Sequence, residues 1–212
     1  MKGINTFTLK WIAIISMLID HIGLVLFPEE QIFRIIGRLA FPIFAYTLTE
    51  GFLHTGNIKK YLIRLGIFAV ISEVPYDLLF GEGIIDWSMQ NVFLTLFLGL
   101  SMIVLITRIT TVYIQVLTVI MIGIISEILG ADYGTIGILT IWLFYYLRDK
   151  KIAKYTAVSL LMLTTQGVQM FAALALIPIG LHNGKRGPKM KYIFYIIYPL
   201  HLLILYFIQL MI

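Results

Sequence analysis

Long apolar runs recur along the whole chain, the first from Trp11 to Phe27 and the last from Tyr192 to Leu210, with only short polar joins between them. These runs restrict what the chain can become. Crossing the hydrocarbon of a bilayer as a helix takes about 20 mostly apolar residues. Lipid offers backbone groups no water to bond, so only helices and closed barrels span it. Barrel strands alternate apolar and polar residues over about 10 positions, and these runs do not alternate. With 60% of its 212 residues hydrophobic and 13% charged, the chain carries more apolar surface than a soluble core of this size can hide. The sequence therefore reads as all-α, a polytopic transmembrane helix bundle forming a single integral membrane domain over residues 1–212.

About nine spans are expected, near 9–27, 33–53, 60–80, 88–107, 110–129, 133–147, 152–165, 167–181 and 192–211. The seventh and eighth are short, and read either as a re-entrant pair or as one broken helix. After the first run there is no small-residue cleavage site but the charged pair Glu29 and Glu30, so that run reads as a retained span. Orientation follows from the lysines and arginines of the short loops. With the N-terminus cytoplasmic, every Lys and Arg except Arg34 and Arg38 falls inside, Lys2, Lys59, Lys189 and Lys191 among them. The outer segments hold Glu29, Glu30, Glu82, Asp86 and Asp132. The absence of cysteine excludes disulfides, thiolate metal sites and a cysteine nucleophile.

Ionisable residues inside spans are costly unless they face a bundle interior, and each is a candidate for function. Lys10 and His21 stand about three helical turns apart on one face of the first span, which places His21 toward the outer side. Arg38 lies about one turn inside the outer rim of the second span, with Pro42 and Tyr46 at four-residue intervals beneath it. Glu73 and Asp77 flank Pro75 high on the third span, where the proline is expected to loosen the helix. Asn91 opens the fourth span. The last carries Tyr195, Tyr198 and His201 around a kink expected at Pro199. His21, Arg38, Glu73, Asp77, Asn91 and His201 come to similar depths and are expected to line one polar cavity. Plainer roles compete at each position. Arg38 paired with Glu73 or Asp77 would serve to hold the bundle together, His21 beside Asp20 would be a satisfied core histidine, and Lys10 at the inner boundary would be a snorkelling anchor. The segment His182 to Lys191 is basic enough to hold phosphates, as any cytoplasmic loop tends to be. No phosphate-binding loop, serine-nucleophile elbow, zinc-protease helix or nucleic-acid module is found.

The string from Leu9 and Lys10 through Asp20, His21 and Gly23, with Gly37-Arg38-Leu-Ala-Phe41-Pro42 and Glu50-Gly51, resembles the opening of the TraX family, the F-pilin acetylation proteins. Further matches run through Ser72-Glu73-Val-Pro75-Tyr-Asp77, Gln90-Asn91, Asp132-Tyr133-Gly134, Asn183-Gly184-Lys185-Arg186-Gly187 and Tyr198-Pro199-Leu-His201, so the resemblance covers nearly the whole chain. It implies a membrane acyltransferase of the bacterial cytoplasmic membrane. Its donor substrate would be acetyl-CoA or a similar acyl-CoA, and its acceptor a membrane peptide, lipid or glycan, with no metal and no nucleic acid. Relatives of this kind commonly place a basic or amide residue ahead of a histidine on an early span, which Lys10 and His21 match with Lys in place of the more usual Arg.

Acyl transfer needs a base for the acceptor's proton, donors for the developing oxyanion and exclusion of water. His21 is the expected base, since imidazole titrates near physiological pH, with Asp20 or a third-span carboxylate orienting it. Arg38 and Asn91 are expected donors. Lys185 and Arg186 are expected to hold the phosphates of the donor, in a donor-binding set with Lys10, Tyr195, Tyr198 and His201. A transporter or flippase-like protein is the rival from another class, although the inverted repeats usual in such folds are not detectable. Acyl transfer from one lipid to another is a second rival.

Overall fold

In a computed structural model the described residues are 3–81, 83–188 and 191–212, with the side chain of Lys191 not among them. Lys2, Glu82 and Lys189 of the charge pattern lie outside the described residues, as does the side chain of Lys191. The described residues form helices and no strands, as the all-α reading expects. In chain order these are α1 (Thr6–Leu26), α2 (Gln31–Gly37), α3 (Ala40–Leu53), α4 (Ile58–Phe80), α5 (Val92–Ile106), α6 (Val112–Ile128), α7 (Gly134–Tyr146) and α8 (Lys151–Leu163). A 3-10 helix (Gly167–Ala175), α9 (Leu176–Gly180) and α10 (Lys191–Gln209) complete them.

Local chemistry sets several boundaries. Asn5, Asn57 and Asn91 precede α1, α4 and α5, and each side chain accepts a backbone N–H of its helix's first turn, from Thr8, Lys60 and Phe93. Such caps satisfy donors that the helix itself leaves open. Pro42 has no N–H to offer the carbonyl of Arg38, and the helix is interrupted there, at Arg38 and Leu39, between α2 and α3. Pro75 and Pro199, by contrast, lie inside α4 and α10, which continue through them. The expected segment 167–181 begins as a 3-10 helix, entered through Gly167 at φ 60°.

Three helices among the described residues are long and apolar enough to cross a membrane: Thr6–Leu26, the interrupted Gln31–Leu53, and Tyr192–Gln209. Val92–Ile106, Val112–Ile128, Gly134–Tyr146 and Gly167–Gly180 are apolar but shorter.

The chain divides into two compact units, one of Met1–Thr47 with Asp149–Ile212 and the other of Leu48–Arg148. In the first, α1 packs on α2 and α10. Glycines allow the close approach to α2, because a Cβ on Gly23 would fall 2.2 Å from Cβ of Phe33, and one on Gly37 would fall 2.2 Å from Cβ of Asp20. Along α10, Phe194 meets Phe7 and Trp11 while His201 meets His21, so α1 and α10 run side by side in the same direction. The segment before α10 lies under the start of α1. Thr6 and Phe7 donate their N–H groups to the carbonyls of Lys185 and Arg186 at 2.9 and 3.1 Å, and Ile4 and Asn183 bond in the same seam. In the second unit α5 packs on α4, α6 and α7 around Leu100, Met102, Ile103, Ile138 and Ile141, all fully buried.

Candidate functional site

The polar residues of the first unit gather where α1, α2, α10 and the 3-10 helix meet. Asp20 falls on the buried face of α1 with Leu9, Ala13, Met17 and Gly23, and is 5% exposed. It faces two arginines at four-residue spacing, Arg34 on α2 and Arg38 just past its end: Arg34 Nη1 lies 2.8 Å from Oδ1, and Arg38 Nη2 donates to Oδ2. Arg38 also donates through Nε to the carbonyl of Arg34 at 3.2 Å and through Nη1 to Oε1 of Gln169 at 2.9 Å. Within the first unit the carboxylate that meets Arg38 is Asp20, a partner that the sequence reading, which named Glu73 or Asp77, did not name. The sequence does not reveal this, because one residue's shift in the rotation of α1 decides whether Asp20 or His21 faces α2.

His21, the next residue along, points instead to α10. Its Nδ1 is 2.7 Å from Nε2 of His201, and the rings lie 14° from parallel. Nδ1 of His201 is 2.9 Å from the carbonyl of Ile197. A carbonyl only accepts, so His201 donates from Nδ1, and with both rings neutral its Nε2 must accept from Nδ1–H of His21. The lone pair of His21 then resides on Nε2. His201 thus fixes the tautomer and orientation of His21, the task expected of Asp20 or of a third-span carboxylate. Tyr198, 4% exposed, sets its ring edge-on to His201 at 5.5 Å between centroids, and Tyr195 is half-buried one turn before Pro199. Lys10 stands over the ring of Phe194 at 5.4 Å, at the other end of the α1–α10 seam.

The other expected members belong to the second unit and are described there by themselves. There Asn91 Nδ2 donates to the carbonyl of Ala69 at 2.8 Å and to Oε2 of Glu73, and its Oδ1 accepts from Phe93 N–H at 3.0 Å. The nitrogen of that amide ties α5 to α4 while its oxygen caps α5, which leaves no N–H for the expected oxyanion. Asp77, 1% exposed, accepts from the N–H of Asp86 at 2.9 Å. One oxygen of each acid, Oε1 of Glu73 and Oδ1 of Asp77, is buried with no partner among the described residues. Of the residues expected to line one cavity, His21, Arg38 and His201 belong to the first unit and Glu73, Asp77 and Asn91 to the second.

At the start of α1, the side chains of Lys185 and Arg186 are exposed while their carbonyls cap the helix. Further polar contacts lie near this seam. His182 bonds Thr6 Oγ1 through Nε2 at 3.0 Å and the hydroxyl of Tyr46 through Nδ1 at 2.9 Å, and Lys154, 8% exposed, lies 5.5 Å over the ring of Tyr46. Arg34 and Gln169 are the other participants that sequence reasoning missed. The four-residue spacing of Arg34 and Arg38 was a usable signal, whereas nothing near Gln169 marks it.

Fold and site together define a helical protein with membrane-spanning features, built around a buried aspartate–arginine cluster and a histidine pair. The chain belongs to the TraX family: the TraX protein family matches it over residues 6–209. It is similar to the probable fimbrial assembly protein FimC, serogroup H1, of Dichelobacter nodosus, with 29% identity over 95% of this chain and 94% of that one. It is also similar to the uncharacterized protein RP591 of Rickettsia prowazekii (strain Madrid E), with 37% identity over 43% of this chain and 33% of that protein. No solved structure matches.

Proposed function

We propose that this protein is a membrane-embedded acyltransferase that passes an acetyl group from a CoA-type thioester to an amine or hydroxyl of a membrane-associated acceptor. The observation that carries the reading is the histidine pair: His201, anchored to the carbonyl of Ile197, holds His21 in the tautomer whose Nε2 can take a proton. Asp20 is the fixed anion that keeps Arg34 and Arg38 beside that base. Membership of the TraX family supports the acetyl donor, and the name of the Dichelobacter nodosus relative favours a pilin-like peptide over a lipid or glycan as acceptor.

The topology proposed is about nine spans with the N-terminus cytoplasmic. It is supported by the basic loops and by the shared direction of α1 and α10, which requires an odd number of crossings if both helices span. Exposed Lys185 and Arg186 would then hold the donor's phosphates on the inner side. His21 lies fifteen residues beyond Thr6, about 22 Å along the helix, so the donor's acyl end and an acceptor from the outer leaflet would meet near it. Because the chain has no native cysteine, single cysteines can report the topology. Those at positions 57 and 184 are expected to label only from the cytoplasm, and one at 84 only from outside. Outside labelling at 184 would remove the phosphate role from that loop.

The direct test supplies isotope-labelled acetyl-CoA to membranes that contain or lack this chain and analyses membrane peptides, lipids and glycans by mass. A membrane peptide that gains label only when the chain is present is the expected result. Label confined to lipid would move the acceptor to the bilayer, and no chain-dependent label anywhere would overturn the reading.

A further inference from the structure

The 3-10 helix Gly167–Ala175 is long for its kind, since such geometry rarely persists beyond a single turn. It carries Gln169 to the guanidinium of Arg38, where Oε1 accepts from Nη1 at 2.9 Å. A guanidinium has donors only, so the carbonyl end of the amide must face it. The opposite end, Nε2 with its two N–H groups, is buried and has no partner among the described residues. Such a donor is costly to leave unmade in an apolar interior. Its position is also well determined, because Arg38 is itself held by Asp20 and by the carbonyl of Arg34.

Resting on the acyl-transfer reading, we infer that Gln169 is a catalytic residue whose Nε2–H receives the oxygen of the acyl group as it becomes an oxyanion. His21 Nε2 takes the proton of the acceptor N–H or O–H, and the acceptor's lone pair forms the bond to the thioester carbon. The C=O π pair moves to oxygen, where the Gln169 amide donates to it. Re-forming the C=O bond breaks the C–S bond, and the departing thiolate takes the proton from His21. Asn91 was expected to fill this role, but its amide is committed within the other unit. Gln169 offers the same chemistry with its donors uncommitted, and it is linked through Arg38 to Asp20, the residue before the base.

A tether and a catalytic donor make opposite demands on the amide. Gln169→Glu keeps an oxygen for Arg38 and so preserves any tether, yet removes the N–H donors. The expected result for that variant in detergent or nanodiscs is a melting temperature no lower than wild type, a kcat lowered by about 10²- to 10³-fold, as when other oxyanion donors are removed, and a nearly unchanged KM for acetyl-CoA. Gln169→Met, which fills the space without donors, should lose kcat to a similar degree. Near-normal turnover in Gln169→Glu would overturn the inference and leave Gln169 a tether. If neither variant folds, the residue is structural and the inference falls. Wild-type protein without transfer would remove the acyltransferase reading itself, an outcome visible before either variant is made.

Discussion

His21→Ala is expected to yield a folded protein whose acetyl transfer is lower by about 10²- to 10⁴-fold, the usual worth of one general base. Folding should survive for a specific reason. His201 keeps its bond to the carbonyl of Ile197, and water can enter the vacated polar space beside it. Donor affinity should change little, because proton abstraction belongs to the chemical step and not to ground-state binding. His201→Ala separates base from positioner. It removes only the group that fixes the tautomer of His21, and should cost less than removing the base. Normal turnover in His21→Ala with loss of turnover in His201→Ala would transfer the base to α10 and reverse the roles assigned to the pair.

The largest effect on stability is expected at Asp20. This carboxylate is buried and faces both Arg34 and Arg38, so Asp20→Ala leaves two guanidinium groups without the anion they meet. Breaking a buried ion pair by removing one partner costs about 3–5 kcal/mol, much of it from the charge left behind. The variant should therefore express poorly or melt far below wild type. Replacing Arg38 as well, in Asp20→Ala with Arg38→Met, should recover part of that loss by removing one uncompensated charge, without recovering activity. A double variant no more stable than Asp20→Ala would show that the pair does not carry the energy assigned to it. Gly37 belongs to the same contact, since any side chain there would collide with Asp20.

The helices were readable because they depend on local chemistry, above all on apolar runs long enough to form them. The prolines mark where that reading reaches its limit. Pro42 follows a break between α2 and α3, while Pro75 and Pro199 are absorbed within α4 and α10, and nothing local to the three prolines separates these outcomes. For the candidate site, sequence spacing assigned each polar residue an expected depth but not the helix that each one meets. Asp20 and His21 are neighbours in the chain, yet one faces α2 and the other α10. Glu73, Asp77 and Asn91 were expected at the depth of the first cluster, which says nothing of the rotation of each helix or of the neighbours each residue meets. Gln169 lay beyond reach for another reason: a single glutamine on an apolar segment becomes informative only once Arg38 is seen to fix the orientation of its amide.

Central to the account is the claim that this chain itself moves the acetyl group. The most direct measurement places purified protein in nanodiscs with isotope-labelled acetyl-CoA and a pilin-like acceptor peptide, and follows free CoA thiol and peptide-bound label together. The account predicts that the two appear in equal amounts, only when the acceptor is present, and that His21→Ala suppresses both. Thiol release without label on the acceptor, or equal labelling by wild type and His21→Ala, would contradict it.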